Sequence, residues 1–177
     1  MSPGPENDPS DVRKEPVDSL PSNSIVKIIL DEGSFLRRRP EVEHEREVAL
    51  FDLLEKNHFE LVGESSVPGP YHVNLALREE RLIFALSSPN GSLITEIELP
   101  TRPFRSVIRD YFLVCESYFD AIKTLTPTQI ESIDMGRRSL HNEGAQKLEE
   151  RLRECVDLDR LTARRLFTLL CVLHMRG

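Results

Sequence analysis

The sequence predicts an α+β fold, an antiparallel sheet of four to five strands with three to four helices packed on one face. Three observations point there. The apolar period is two between residues 71 and 99 and helical before and after that stretch. The elements run strand, helix, strands, helices, which differs from the strict alternation of a doubly wound sheet. The closing stretch "RLFTLLCVLHM" is apolar on almost every side, so its helix belongs at the centre of a core.

Residues 1–23, "MSPGPENDPSDVRKEPVDSLPSN", are rich in Pro, Ser, Asp and Glu and hold almost no large apolar side chains. Such a segment buries too little surface to offset its ordering entropy, so a disordered acidic tail is expected there. A single domain is expected over 24–177. "SIVKIILDE" is a β-branched run and reads as the first strand. In "RRRPEVEHEREVALFDLLEKNHF", Pro40 suits the first helical position and Glu41 and Glu43 the positive end of the dipole. Val42, Ala49, Leu50, Leu53 and Leu54 have helical spacing.

Next comes a meander. Val73, Leu75 and Leu77 alternate with His72, Asn74 and Arg78, then Leu82, Phe84 and Leu86 repeat the pattern. After a "PNG" turn, Leu93, Thr95, Ile97 and Leu99 alternate with Ile94, Glu96 and Glu98. One face of this ribbon is wet, and the helices that follow must cover the other. The first of these starts at a Thr101 cap and carries Phe104, Val107, Ile108, Tyr111, Phe112, Cys115, Tyr118, Phe119 and Ile122 on one side. "TPTQ" at 126–129 fits a capping box, and a last helix spans about 159–175.

Between them lies "IDMGRRSLHNEGA", residues 133–145, with an Asp, two Arg, a His, an Asn and a Glu between glycines. On one continuous helix, Ile130, Ile133, Leu140, Leu148 and Leu152 form a buried stripe, flanked by Asp134, Arg138 and His141. The alternative ends the helix near Arg138 and restarts it near Asn142, with Arg137 and Arg138 on the negative end of the dipole. Gly136 and Gly144 each weaken a continuous helix by about 1 kcal/mol and favour the break. Either way the 135–143 corner is expected near the surface.

Composition sets outer limits. With 39% hydrophobic and 30% charged residues the chain can build a packed core. A formal charge of -7 argues against a nucleic-acid partner. No apolar run approaches the roughly 18 residues needed to span a bilayer, so no membrane partner is expected. The N-terminus lacks the apolar core of a secretory signal. Cys115, Cys155 and Cys171 form no C-x-x-C pair, each falls in a helical pattern, and they read as reduced thiols of a cytoplasmic protein.

The motif search mostly excludes. "HEREV" lacks the second His of a zincin, since Val48 holds its place, and His44 with Glu47 reads as a solvated face. "HNE" at 141–143 has no P-C-x-x-C partner, which excludes a zinc deaminase. There is no G-x-S-x-G elbow, phosphate loop or dinucleotide fingerprint. Cys171 and His174 sit on the apolar helix and read as core. No metal and no cofactor are expected. What remains are arginines near helix starts: Arg37, Arg38 and Arg39, then Arg102, Arg105 and Arg109, then Arg164 and Arg165. Arginine there suits phosphate or carboxylate.

The stretches "RRRPEVEHEREVALFDLLEKNHF", "GPYHVNL", "PFRSVIRDYFLVCESYFDAI", "IESIDMGRRSLHNEGA" and "LTARRLFTLLCVLH" closely resemble uncharacterised protein family 0262. That is a group of bacterial proteins of about this length. The resemblance covers nearly all of 25–174, and 103–145 is its most specific part. It implies a bacterial, cytoplasmic, free-standing domain. The family carries no assigned activity, so the resemblance supplies no catalytic residues.

The expected function is a non-enzymatic binding or regulatory module that recognises a protein partner or a small anionic ligand. Arg105, Arg109, Arg137, Arg138 and Asn142 are its candidate ligand-binding residues. The alternative is a hydrolase-type enzyme using His141, Asp134 and Glu143, with Arg138 beside them.

Overall fold

In the computed structural model the β-branched run at the start forms strand β1 (Ile25–Asp31), and Pro40 opens helix α1 (Pro40–Glu55) at its first turn. The structure describes residues 21–32 and 39–175. Residues 1–20 of the expected acidic tail lie outside the described residues, as do Arg37 and Arg38. After α1 come β2 (Phe59–Leu61), β3 (Tyr71–Arg78), β4 (Arg81–Ser87) and β5 (Leu93–Pro100). Three helices follow, α2 (Arg105–Thr124), α3 (Pro127–Leu152) and α4 (Arg160–His174), with a short strand β6 (Val156–Leu158) between the last two.

The fold class is α+β, but the sheet is mixed where a purely antiparallel one was expected. Its order is β1-β3-β4-β5. β3, β4 and β5 form the antiparallel meander, whereas β1 pairs with β3 in parallel, with Ile28 opposite Val73 and Leu30 opposite Leu75. Parallel neighbours need a crossover, and α1 followed by β2 provides it. β2 pairs antiparallel with β6 in a separate two-stranded sheet that the sequence does not announce.

Alternation then sets the core. Tyr71, Val73, Leu75, Leu82, Phe84 and Leu86 are buried on one face, in phase across the β3–β4 ladder. The β3–β4 turn places Glu79 and Glu80 in the left-handed region, as a two-residue hairpin turn requires. Thr101 holds that turn: its amide and its hydroxyl each donate to the Glu80 carbonyl at 2.8 Å. Thr101 is therefore a strut between turn and helix, and its side chain does not cap α2 as expected.

The helices stack as predicted on the apolar side. α4 packs against α1, α3 and β3, and α2 packs against α3. α4 is the centre: its ten buried residues include Leu166, Phe167, Leu169, Leu170 and Leu173. Asp159 accepts the Thr162 amide at 2.9 Å and caps α4. Replacing it with Ala is expected to cost about 1 kcal/mol, read in a urea melt. The Thr126–Gln129 capping box opens α3 as expected.

Two expectations about the helices need correction. Cys155 lies in the turn before β6, outside any helix, because α3 ends at Leu152. More importantly, α3 is one uninterrupted helix of 26 residues. His141, Gly144, Ala145, Leu148 and Leu152 form its continuous buried stripe against α2 and α4. Gly144 faces the Phe167 ring so closely that a Cβ there would lie 2.3 Å from it. Gly136 faces open space. The arginine pair does not cap a helix end either: Arg137 and Arg138 both reach back to Asp134, which supports helix across this stretch.

Candidate functional site

The continuous α3 turns His141 inward. It is 4% exposed, while Met135, earlier on the same helix, is 65% exposed. The 135–143 corner is thus split between core and solvent, where the sequence placed it all near the surface. His141 Nε2 lies 2.8 Å from the Arg164 carbonyl oxygen and 2.8 Å from Thr168 Oγ1. A carbonyl only accepts, so Nε2 carries the proton. Nδ1 is then the acceptor and faces Arg164 Nη2 at 3.4 Å. Burial is the main cause that lowers the His141 pKa to about 4, with the nearby arginines adding to it. The ring is neutral and held at both nitrogens.

His141 forms part of the floor of a cavity of about 420 Å³ bounded by α1, α2, α3 and α4. Val48, Ala49, Phe119 and Ile122 give it an apolar wall, Glu41 and Glu45 supply carboxylates, and Arg137, Arg164 and Arg165 supply cations. Two of these arginines are neutralised by carboxylates. Arg137 donates to Asp134 Oδ1 at 2.8 Å, lies 3.6 Å from Glu45 Oε1 and covers the Tyr118 ring. Burial opposes its charge, but Asp134 and Glu45 outweigh that and hold its pKa above the ordinary value. Arg165 pairs with Asp52 at 3.0 Å.

Arg164 differs. Among the described residues no carboxylate lies within ion-pair reach of its guanidinium, and its buried Nε has no hydrogen-bond partner. Burial first, then Arg165 and the other arginines around it, push its pKa down. The sequence placed Arg164 among the helix-start arginines but gave no sign of this isolation.

The two buried thiols are inert by environment. Burial pushes Cys115 up to about 12 and raises Cys171 well above the ordinary thiol value. Tyr111, whose hydroxyl donates to Glu45 at 3.0 Å, is also raised by burial and by that carboxylate.

The structure separates the remaining candidates. Glu143 and Asn142 are exposed and do not border the cavity. Asp134 is occupied by both Arg137 and Arg138, and Arg138 itself is exposed. Arg105 and Arg109 lie in a different depression with Ile108, Phe112 and His174, bound to Glu80 and Asp110 respectively. The expected ligand-binding set is therefore scattered: Arg105 and Arg109 share the second depression, Arg138 and Asn142 line neither, and Arg137 is its one member in the cavity with His141.

The model of Uncharacterised protein family (UPF0262) matches residues 22–176, from just before β1 to the end of α4. The chain belongs to this family. A UPF0262 protein of Rhodospirillum rubrum is 54% identical over 156 residues, 88% of this chain and 95% of its own. Another from Brucella canis is 52% identical over 158 residues, 89% and 98% of the two chains. These relatives are bacterial, and the match spans every element that builds the cavity. No solved structure matches the chain. Among the described residues no helix is long and apolar enough to cross a membrane.

Proposed function

We propose that this UPF0262 protein is a non-enzymatic binding module that takes a small anion in the cavity between α1, α2, α3 and α4. The observation that carries the reading is Arg164, a half-buried guanidinium with an unpartnered Nε and, among the described residues, no carboxylate within ion-pair reach, with Arg137 and Arg165 beside it. A guanidinium without an ion pair in a partly dry cavity is relieved by an anion, and it offers carboxylate or phosphate a two-pronged contact. The net charge of -7 favours a small anion over a polyanion. The cytoplasm is the compartment we assign, on the strength of three unpaired cysteines.

The hydrolytic alternative comes second. It asks His141 to move a proton, yet both ring nitrogens are engaged and Glu143 lies on the solvent face.

Calorimetry with inorganic phosphate, sulfate, citrate and benzoate tests the proposal. At least one of these anions is expected to bind saturably, and Arg164→Gln to weaken it at least tenfold, roughly the loss of a charge-assisted contact. Arg109→Gln, in the other depression, should leave the affinity unchanged. Absence of binding by all four, or equal binding by Arg164→Gln, refutes it.

A further inference from the structure

The small β2–β6 sheet carries a second cluster. Glu60 stands directly opposite Asp157 in the ladder, and His58 lies diagonally across from Asp157 on the same wet face. His58 Nε2 is 3.0 Å from Asp157 Oδ2, and one donor atom from each of His58, Glu60 and Asp157 lies within 4.8 Å of the others. We propose that these three side chains bind a divalent first-row transition ion of the zinc type.

Three features support this assignment over a surface ion pair. Like charges facing each other in a sheet are destabilising, and a lone imidazole on Asp157 leaves Glu60 uncompensated. Among the described residues no Lys or Arg lies within ion-pair reach of Glu60 or Asp157. A cation shared by both carboxylates resolves the opposition. Second, the donor set is mixed: one imidazole nitrogen and two carboxylate oxygens suit zinc, manganese or ferrous iron better than calcium or magnesium. Two ligands about a tetrahedral ion, each at ~2.1 Å, are about 3.4 Å apart, so the hydrogen-bonded His58 and Asp157, now at 3.0 Å, need to part by only a few tenths of an ångström to share one.

Third, the backbone that carries the donors is anchored. Phe59 and Leu61 are buried on either side of Glu60, and Val156 is buried beside Asp157. The His58 amide donates to the Thr162 hydroxyl at 2.9 Å, which ties the site to the start of α4. Three protein ligands on an exposed face leave coordination positions open to water, the arrangement of an exchangeable site.

Titration of the metal-depleted full chain with zinc chloride in a calorimeter tests this. One equivalent is expected to bind saturably. His58→Ala, Asp157→Asn and Glu60→Gln should each weaken uptake at least tenfold, and Cys155→Ser, one residue outside β6, should leave it unchanged. Metal-free thermal melts of the two amide variants that match wild type show that lost uptake is not lost folding. Failure of the folded wild type to take up zinc overturns the proposal. So does uptake that the three substitutions leave intact, or that Cys155→Ser removes.

Discussion

Gly144→Ala should lower stability by about 2 kcal/mol, while Gly136→Ala on the same helix should raise it by about 1 kcal/mol. Both changes remove backbone freedom from the unfolded chain and improve helix propensity by up to ~1 kcal/mol. The sites differ only in what a methyl group meets. At position 136 it meets nothing. At position 144 it meets the Phe167 ring at 2.3 Å, well inside contact distance. Phe167 cannot step aside: it is fully buried, with Tyr111 5.7 Å and His141 6.0 Å away between ring centroids. Overpacking of this kind costs roughly 1–3 kcal/mol or more and displaces backbone, here α3 against α4. For a chain of this size the pair should move the melting temperature in opposite directions, about 4–8 °C down and 2–4 °C up. A neutral or stabilising Gly144→Ala would mean that α3 and α4 do not pack as closely as described.

That pair also shows where sequence reasoning reaches and where it stops. The α1 helix was legible because Pro40, the early glutamates and the apolar stripe agree. The meander was legible from its period of two, and α4 from its apolar surface. The break expected in α3 was a sound local inference defeated by a contact 23 residues away, since propensity does not register what Phe167 requires. The parallel β1–β3 pairing and β6 escaped for another reason. A three-residue strand carries no period, and the direction of pairing depends on how the chain returns. At the site, Arg137 and His141 were named from the sequence. Arg164 was visible only as one of several arginines, because its lack of a carboxylate partner among the described residues is a property of four helices together. The β2–β6 cluster was invisible for the same cause, since 99 residues separate His58 from Asp157.

His141 supplies the second large effect, and its sign follows from the direction of its shift. In the unfolded chain its imidazole titrates near 6.5, while burial lowers it to about 4 in the fold. Between those values the unfolded state binds more protons, so folding free energy declines as pH falls. The contribution is complete above about pH 6.5 and is lost progressively toward pH 4, amounting to roughly 3 kcal/mol. His174, also lowered by burial and by Arg105, acts in the same direction and makes the wild-type slope steeper. His141→Gln separates the two. Its amide can donate to the Arg164 carbonyl but carries no titrating group, so the variant should be less stable at pH 7 and shallower between pH 6.5 and 4. Urea melts across that window measure the difference in slope, and parallel curves would contradict the assignment. Nitrogen shifts of the imidazole provide a check that needs no variant. Nε2 should keep its proton and Nδ1 should stay bare down to about pH 4, because the carbonyl of Arg164 accepts from one side while its guanidinium donates to the other. A ring that titrates near 6.5 in the folded chain would mean His141 is wet, and would remove the floor from the cavity that Arg164 lines.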